Sequence, residues 1–173
     1  MTAEIPKLIV LRGPAGSGKS TTARLLLNNA TRKTCLIEQD YYRFIFRPYA
    51  NGSKVNSAAI HRMIKSNVLT ALSEGYDVIL EGILNAKSYK SMLQEILVEH
   101  PTQNYMFYFD ISFEETVRRH SMRPAKDTPS FTDEDMRSWY PAAYVPIHDE
   151  EKLIPEKSSL EETVKFVIDS SNF

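Results

Sequence analysis

A three-layer α/β/α fold, with helices on both faces of a parallel sheet, is predicted by three observations. Short apolar runs recur from one end of the chain to the other, and segments of helical periodicity separate them. No repeat, low-complexity tract or Gly/Ser linker divides the 173 residues. Residues 1–173 therefore read as one domain, long enough to bury roughly 70% of the unfolded surface in a single core.

The elements follow in order. Lys7–Arg12 (KLIVLR) is nearly continuous apolar sequence, as expected of a strand covered on both faces. From about Gly18 to Asn29 a helix is expected, with Ala23, Leu26, Leu27 and Ala30 on its buried side. Thr34–Glu38 is the second strand. Ile60, Met63, Ile64, Val68, Ala71 and Leu72 make one helical face, stopped at Gly75. Asp77–Glu81 (DVILE) is the third strand. Tyr89, Met92, Leu93, Ile96 and Leu97 form the next helix face, ended by His100-Pro101. Tyr105–Asp110 is the fourth strand and Lys152–Pro155 a weaker fifth. Ser112 with Glu115, and Ser159 with Glu162, have capping-box spacing and each open a helix. The second of these is expected to bury Leu160, Val164, Val167 and Ile168.

Composition excludes several function classes. Lys and Arg total 21 against 22 Asp and Glu, a net charge of −1, so no global basic field exists to hold the chain on DNA by phosphate neutralisation. The single cysteine, Cys35, has no internal disulfide partner, and no Cys/His cluster has zinc-ligand spacing. No apolar run approaches the ~20 residues of a membrane helix, and the start does not read as a signal peptide. A cytoplasmic setting is expected.

Ligands of such folds bind at the carboxyl ends of strands, and the first strand end carries the strongest motif. Gly13-Pro14-Ala15-Gly16-Ser17-Gly18-Lys19-Ser20 is a complete G-x-x-x-x-G-K-[ST] match between a strand and a helix. Its glycines let consecutive backbone N–H groups turn toward an anion, and the following helix aims its positive end at the same point. Residues 13–20, with Thr21 beside them, are therefore expected to bind a nucleoside triphosphate. Lys19 would reach the β- and γ-phosphates and the Ser20 hydroxyl would ligate Mg²⁺. The N-K-x-D element that reads guanine is absent.

The remaining strand ends add acids and arginines. After the second strand, Asp40 in Glu38-Gln39-Asp40-Tyr41-Tyr42-Arg43 stands where it would act as base toward an acceptor hydroxyl, as an outer Mg²⁺ contact, or as a helix cap. Glu81, in the VILEG that ends the third strand, would hold a magnesium-bound water, touch substrate, or sit in a surface turn. Arg118, Arg119 and Arg123 lie within six residues beside a polar, proline-bearing segment, which reads as a closing lid over about 118–130. Arg119 and Arg123 are four apart and share a helix face, so they are the expected phosphate contacts, while Arg118 faces elsewhere. A solvated basic helix end is the alternative.

Together the cradle, Gln-Asp-Tyr after the second strand, VILEG at the third and the arginine-rich segment after the fourth resemble the small P-loop kinases. The likeness is to the branch holding zeta toxins, chloramphenicol phosphotransferase-like proteins and polynucleotide-kinase-like predicted kinases. The resemblance implies a P-loop NTPase fold with strand order 2-3-1-4-5, ATP with Mg²⁺, and phosphoryl transfer to a hydroxyl. By position it makes Lys19 and Ser20 the phosphate and metal residues, Asp40 the base, and Arg119 and Arg123 the lid arginines. It also implies that the loop from about Pro155 to Ser158 borders the adenine. Thr132–Tyr140 resembles a segment that follows the lid in that branch, and reads as a capped amphipathic helix with Trp139 and Tyr140 packed inward.

Tyr41, Tyr42, Phe44, Phe46 and Tyr49, interleaved with Arg43 and Arg47, follow the expected base. They fit either an aromatic core or a site that stacks a ring and grips an anion. The leading expectation is an ATP- and Mg²⁺-dependent kinase of a small hydroxylated molecule. A polynucleotide 5′-hydroxyl kinase and a non-catalytic ATP-binding regulatory module are the alternatives.

Overall fold

The computed structural model describes residues 4–46, 57–122 and 132–173. Five strands, β1 (Leu8–Arg12), β2 (Thr34–Glu38), β3 (Asp77–Gly82), β4 (Asn104–Asp110) and β5 (Lys152–Pro155), form one sheet in the order β2-β3-β1-β4-β5. Every pairing is parallel, with Leu8 opposite both Val78 and Asn104. The chain leaves β1 for the edge at β2, returns to β3, then crosses β1 to β4. That reversal leaves a crevice at the carboxyl end of β1.

The helices are α1 (Lys19–Asn29), α2 (Gln39–Phe44), α3 (Ser57–Ser73), α4 (Ala86–Glu99), α5 (Phe113–Ser121), α6 (Asp133–Trp139) and α7 (Leu160–Ser171). Successive β1 side chains point to opposite faces, and each face has its own core. Leu8 and Val10 join Ile60, Ile64 and Val68 of α3 and Met92, Leu93 and Ile96 of α4. Ile9 and Leu11 join Ala23 and Leu26 of α1 and Val167 of α7. Burying one such side chain stabilises the fold by about 1.5–3 kcal/mol, so both faces hold the cradle-bearing strand in place.

Four local expectations need correction. Met63 and Leu160 are exposed, because the buried faces of α3 and α7 are narrower than the apolar stripes. Ser112 caps α5 by accepting from the Glu115 N–H at 3.3 Å, but the box does not close. The Glu115 carboxylate is taken by arginines, and Glu156 accepts the Ser112 N–H instead, at 2.7 Å. Ser159 and Glu162, by contrast, form the full box on α7. On α6 the inward residue is Met136, while Trp139 is 38% exposed and Tyr140 half-buried, its hydroxyl donating to the Ile111 carbonyl. Seven residues allow only one inward position per turn, and the cap at Thr132 sets Met136 there.

Candidate active site

The loop from Gly13 to Ser20 joins β1 to α1 at the crevice. Gly16 has φ +78°, and a Cβ there would stand 2.7 Å from the Thr116 carbonyl oxygen of α5. Only glycine fits both the backbone turn and the close approach. Gly18 caps α1 without any side-chain bond to the first turn, so the leading N–H groups of the helix keep their capacity for an anion. Lys19 is buried against the loop, its Nζ donating to the Pro14 carbonyl at 2.6 Å and contacting Ser17 Oγ at 3.2 Å.

Next to this loop the Ser20 hydroxyl donates to Glu81 Oε1 at 3.1 Å, across 61 positions of sequence. Burial pushes the Glu81 carboxyl up, opposed by Lys19 and the Ser20 bond and reinforced by the charges of Glu38 and Asp40. A desolvated carboxylate beside a hydroxyl is half of a hard-cation site. Among the described residues no group of three or more His, Cys, Asp or Glu could hold a metal. The pair therefore suits a cation that takes its other ligands from phosphate oxygens and water, which is how Mg²⁺ is ordinarily held.

Arg119 closes the other flank. Its guanidinium donates to Glu115 Oε1 at 2.7 Å, to the Ser17 carbonyl at 3.0 Å and to the Glu156 carbonyl at 2.9 Å. One side chain thus ties α5, the cradle and the β5–α7 loop together. Beneath it lies a recess of about 390 Å³ lined by Gly16, Thr21, Ile154, Pro155 and Ser158. The loop expected to border adenine and the cradle accordingly share one recess. Arg118 instead turns back on Glu115 with two bonds of 2.6 Å. The two guanidinium groups hold the Glu115 carboxyl down at about 2. Arg123 and most of the expected lid, with Arg47 and Tyr49, lie outside the described residues.

Asp40 occupies the first turn of α2, its side chain 61% exposed and 3.8 Å from Arg43. Its negative charge is felt by Glu81 beside the cradle and by Tyr89 of α4, which lines a second compartment. The second compartment is a cavity of about 1220 Å³ at the strand ends, lined among others by Gln39, Arg43, His61, Lys87, Tyr89 and Trp139. The aromatic run after Asp40 divides. Tyr42 is buried and accepts from Asn67 at 2.7 Å, and Phe46 packs on the core. Tyr41 is exposed, as is Phe44 at 80%. Phe44 and Phe46 both also line the cavity.

Three elements of this cavity were not singled out from the sequence. Gln39 Oε1 accepts the Leu84 N–H at 3.0 Å, while its Nε2 donates to the Tyr89 hydroxyl at 2.8 Å. It lies so close over Gly82 that a Cβ there would meet it at 2.3 Å, which makes the glycine of VILEG its only readable signal. Tyr89 had the periodicity of a core residue, and it is one, yet it also lines the cavity, with its hydroxyl held by Gln39 of the same wall. Arg12, ending β1, is buried with Glu151 in a two-point ion pair of 2.5 and 2.6 Å and also donates to the Val145 carbonyl. That pair fastens the 141–151 segment, whose Pro141, Ala142 and Val145 line the cavity. Among the described residues no helix is long and apolar enough to cross a membrane.

The arrangement resembles known proteins at the level of family and fold. A family model described as an AAA domain matches residues 8–146, well over half of the chain. No curated protein matches the sequence. A gluconokinase from Sinorhizobium meliloti superposes with TM-score 0.66 at 14% identity, covering 98% of this chain and 93% of that one. The Mycobacterium tuberculosis APS kinase CysC, in complex with AMPPNP and APS, gives TM-score 0.66 at 17% identity, covering 95% and 96%. A chain of the Pnkp1/Rnl/Hen1 RNA repair complex gives TM-score 0.59 at 24% identity over 80% of this chain but only 44% of that one. The sheet order and the helices around it are those of the P-loop NTPase α/β fold.

Proposed function

The chain belongs to this AAA domain family, and from that premise we propose that it is an ATP- and Mg²⁺-dependent kinase acting on a hydroxyl of a small molecule. The observation that supports the reading is a phosphate cradle with a separate side-chain-lined cavity beside it, Asp40 following Gln39 of the cavity wall in the chain and adding its charge to that around Glu81. A nucleotide-binding module without transfer has no use for the second compartment.

In this reading the triphosphate lies along residues 13–20, with Thr21 and the Pro155–Ser158 loop toward the base. Lys19 exchanges the Pro14 carbonyl for the β- and γ-phosphate oxygens, and Arg119 and Arg123 meet the transferring group. Ser20 and Glu81 hold Mg²⁺, directly or through its water, and the ion when bound neutralises charge on the phosphate oxygens. Asp40 accepts the proton of the acceptor hydroxyl as that oxygen bonds the γ-phosphorus and the bond to the β,γ-bridging oxygen breaks. The proton passes on to solvent and ADP departs.

The test is transfer of label from γ-labelled ATP to a panel of nucleosides, sugars, aromatic antibiotics and 5′-hydroxyl oligonucleotides, with and without Mg²⁺. Mg²⁺-dependent labelling of a small compound is expected. Labelling confined to oligonucleotide ends would replace this reading with the polynucleotide one, which the exposed Tyr41 and Phe44 favour as stacking surfaces. Tight ATP binding with no transfer at all would leave a regulatory module.

A further inference from the structure

The second cavity has a charge pattern that narrows its occupant. None of its described lining residues is Asp or Glu, while Arg12, Arg43 and Lys87 all contribute to it. Arg12 is neutralised by Glu151. Among the described residues Arg43, from α2, is opposed only by the 3.8 Å contact with Asp40, and Lys87, in the first turn of α4, has no ion-pair partner. The other titratable groups facing the space are His61, whose burial lowers its affinity for a proton, and the tyrosines 89, 108 and 140, whose burial raises their pKa. All of these are neutral near pH 7. The cavity therefore presents positive charge on otherwise aromatic and neutral polar walls.

A second observation concerns one proton. The Leu84 N–H can only donate, so the Gln39 atom facing it is the carbonyl oxygen and the other end of the amide is the NH₂. That NH₂ donates to the Tyr89 hydroxyl, which is thereby the acceptor in the pair. The phenol keeps its own O–H for another partner, and none exists among the described residues, although Tyr89 is only 7% exposed. A ligand oxygen in that space would satisfy the donor. His61, packed on the Tyr89 ring at 4.3 Å between centroids, limits where that ring can move.

We infer that the cavity takes an acceptor bearing an anionic oxygen group, a carboxylate, sulfate or phosphate, held by Arg43 and Lys87 and by a hydrogen bond from Tyr89. The inference rests on the kinase reading for the word acceptor, but the binding it describes stands apart from transfer. Tyr89, fixed by Gln39, is the specificity-determining donor, and charge-assisted bonds of this kind favour the charged compound over a neutral one of similar shape.

The test is calorimetric titration of the full chain, with its cradle filled by a non-hydrolysable ATP analogue, using matched pairs. Gluconate is compared with sorbitol, adenosine 3′-monophosphate with adenosine, and a 5′-hydroxyl trinucleotide is added as a third arm. In at least one pair the anion is expected to bind about tenfold more tightly than its neutral partner. A trinucleotide that outbinds the mononucleotide identifies a strand end as the source of the anion, and the reverse identifies a small metabolite. Lys87→Gln should cut the anion preference about threefold and flatten its salt dependence, and Tyr89→Phe should weaken the anion about tenfold while sparing the neutral compound. Tyr89→Phe disturbs a buried hydrogen bond, so Lys87→Gln, at an exposed position, decides the matter if that variant does not fold. A panel in which no anion outbinds its partner, or a preference indifferent to Lys87→Gln, overturns the inference. Anion preference without phosphoryl transfer would uphold it and sink the kinase reading; transfer without preference would do the opposite.

Discussion

The cradle and the cavity beside it are built on opposite plans. The cradle is eight consecutive residues whose chemistry is mostly backbone, set by glycines and by the start of α1. The cavity is assembled from side chains of β1, α2, α3, β4, α4 and α6 and from the 141–151 segment, which meet only after the sheet has formed. A local backbone device is written in one stretch and resists variation. A dispersed side-chain device is free to change its ligand without disturbing the fold.

Substitutions on the two sides should therefore fail in different ways, and the largest effect belongs to the cradle. Lys19→Ala should lower turnover by about 10³-fold or more and weaken nucleotide binding, measured by label transfer and by titration with AMPPNP. Asp40→Asn should lower turnover by ~10²-fold while nucleotide affinity stays within about threefold, since its side chain lies outside the cradle. Equal loss of both quantities would merge the compartments and break the comparison.

On the cavity side, Glu151→Gln leaves Arg12 buried without its countercharge and should cost about 3 kcal/mol in urea unfolding. An unchanged midpoint would mean that the pair does not fasten the cavity wall.

Glu81→Gln gives the smallest effect on stability and the most diagnostic one. The folded protein holds the Glu81 proton more tightly than the unfolded chain does, so the stability tied to it is full below about pH 4 and lost as pH rises through the raised pKa. The glutamine variant escapes that loss. It should match the wild type in acid and melt higher at pH 8, while losing Mg²⁺-dependent turnover. A carboxylate that weakens the empty protein and serves the loaded one is what a metal-side residue should look like.

The same contrast explains what could be read in advance. All five strands and the cradle motif were legible, because apolar runs and a contiguous motif are local signals, while the sheet order came only from the family resemblance. Ser20 and Glu81, both candidates for the metal side, proved to touch. Tyr89 escaped notice since its spacing is that of a core residue, and nothing in periodicity reports where a phenol oxygen ends. Arg12 and Glu151 are 139 positions apart, a pairing only the fold creates. The half-formed cap at Ser112 shares the S-x-x-E spacing of the complete one at Ser159. It differs because Arg118 and Arg119 compete for Glu115 and Glu156 is at hand to replace it.

The central claim is that the amides of residues 13 to 20 converge on a polyphosphate. Its most direct measurement is a ¹H–¹⁵N titration of the labelled chain with AMPPNP and Mg²⁺. Large, saturable shifts of the Gly16, Gly18, Lys19 and Ser20 amides are expected, together with the Arg119 side chain and little change at Lys87 and Tyr89. Cradle resonances that stay in place while others move would contradict it.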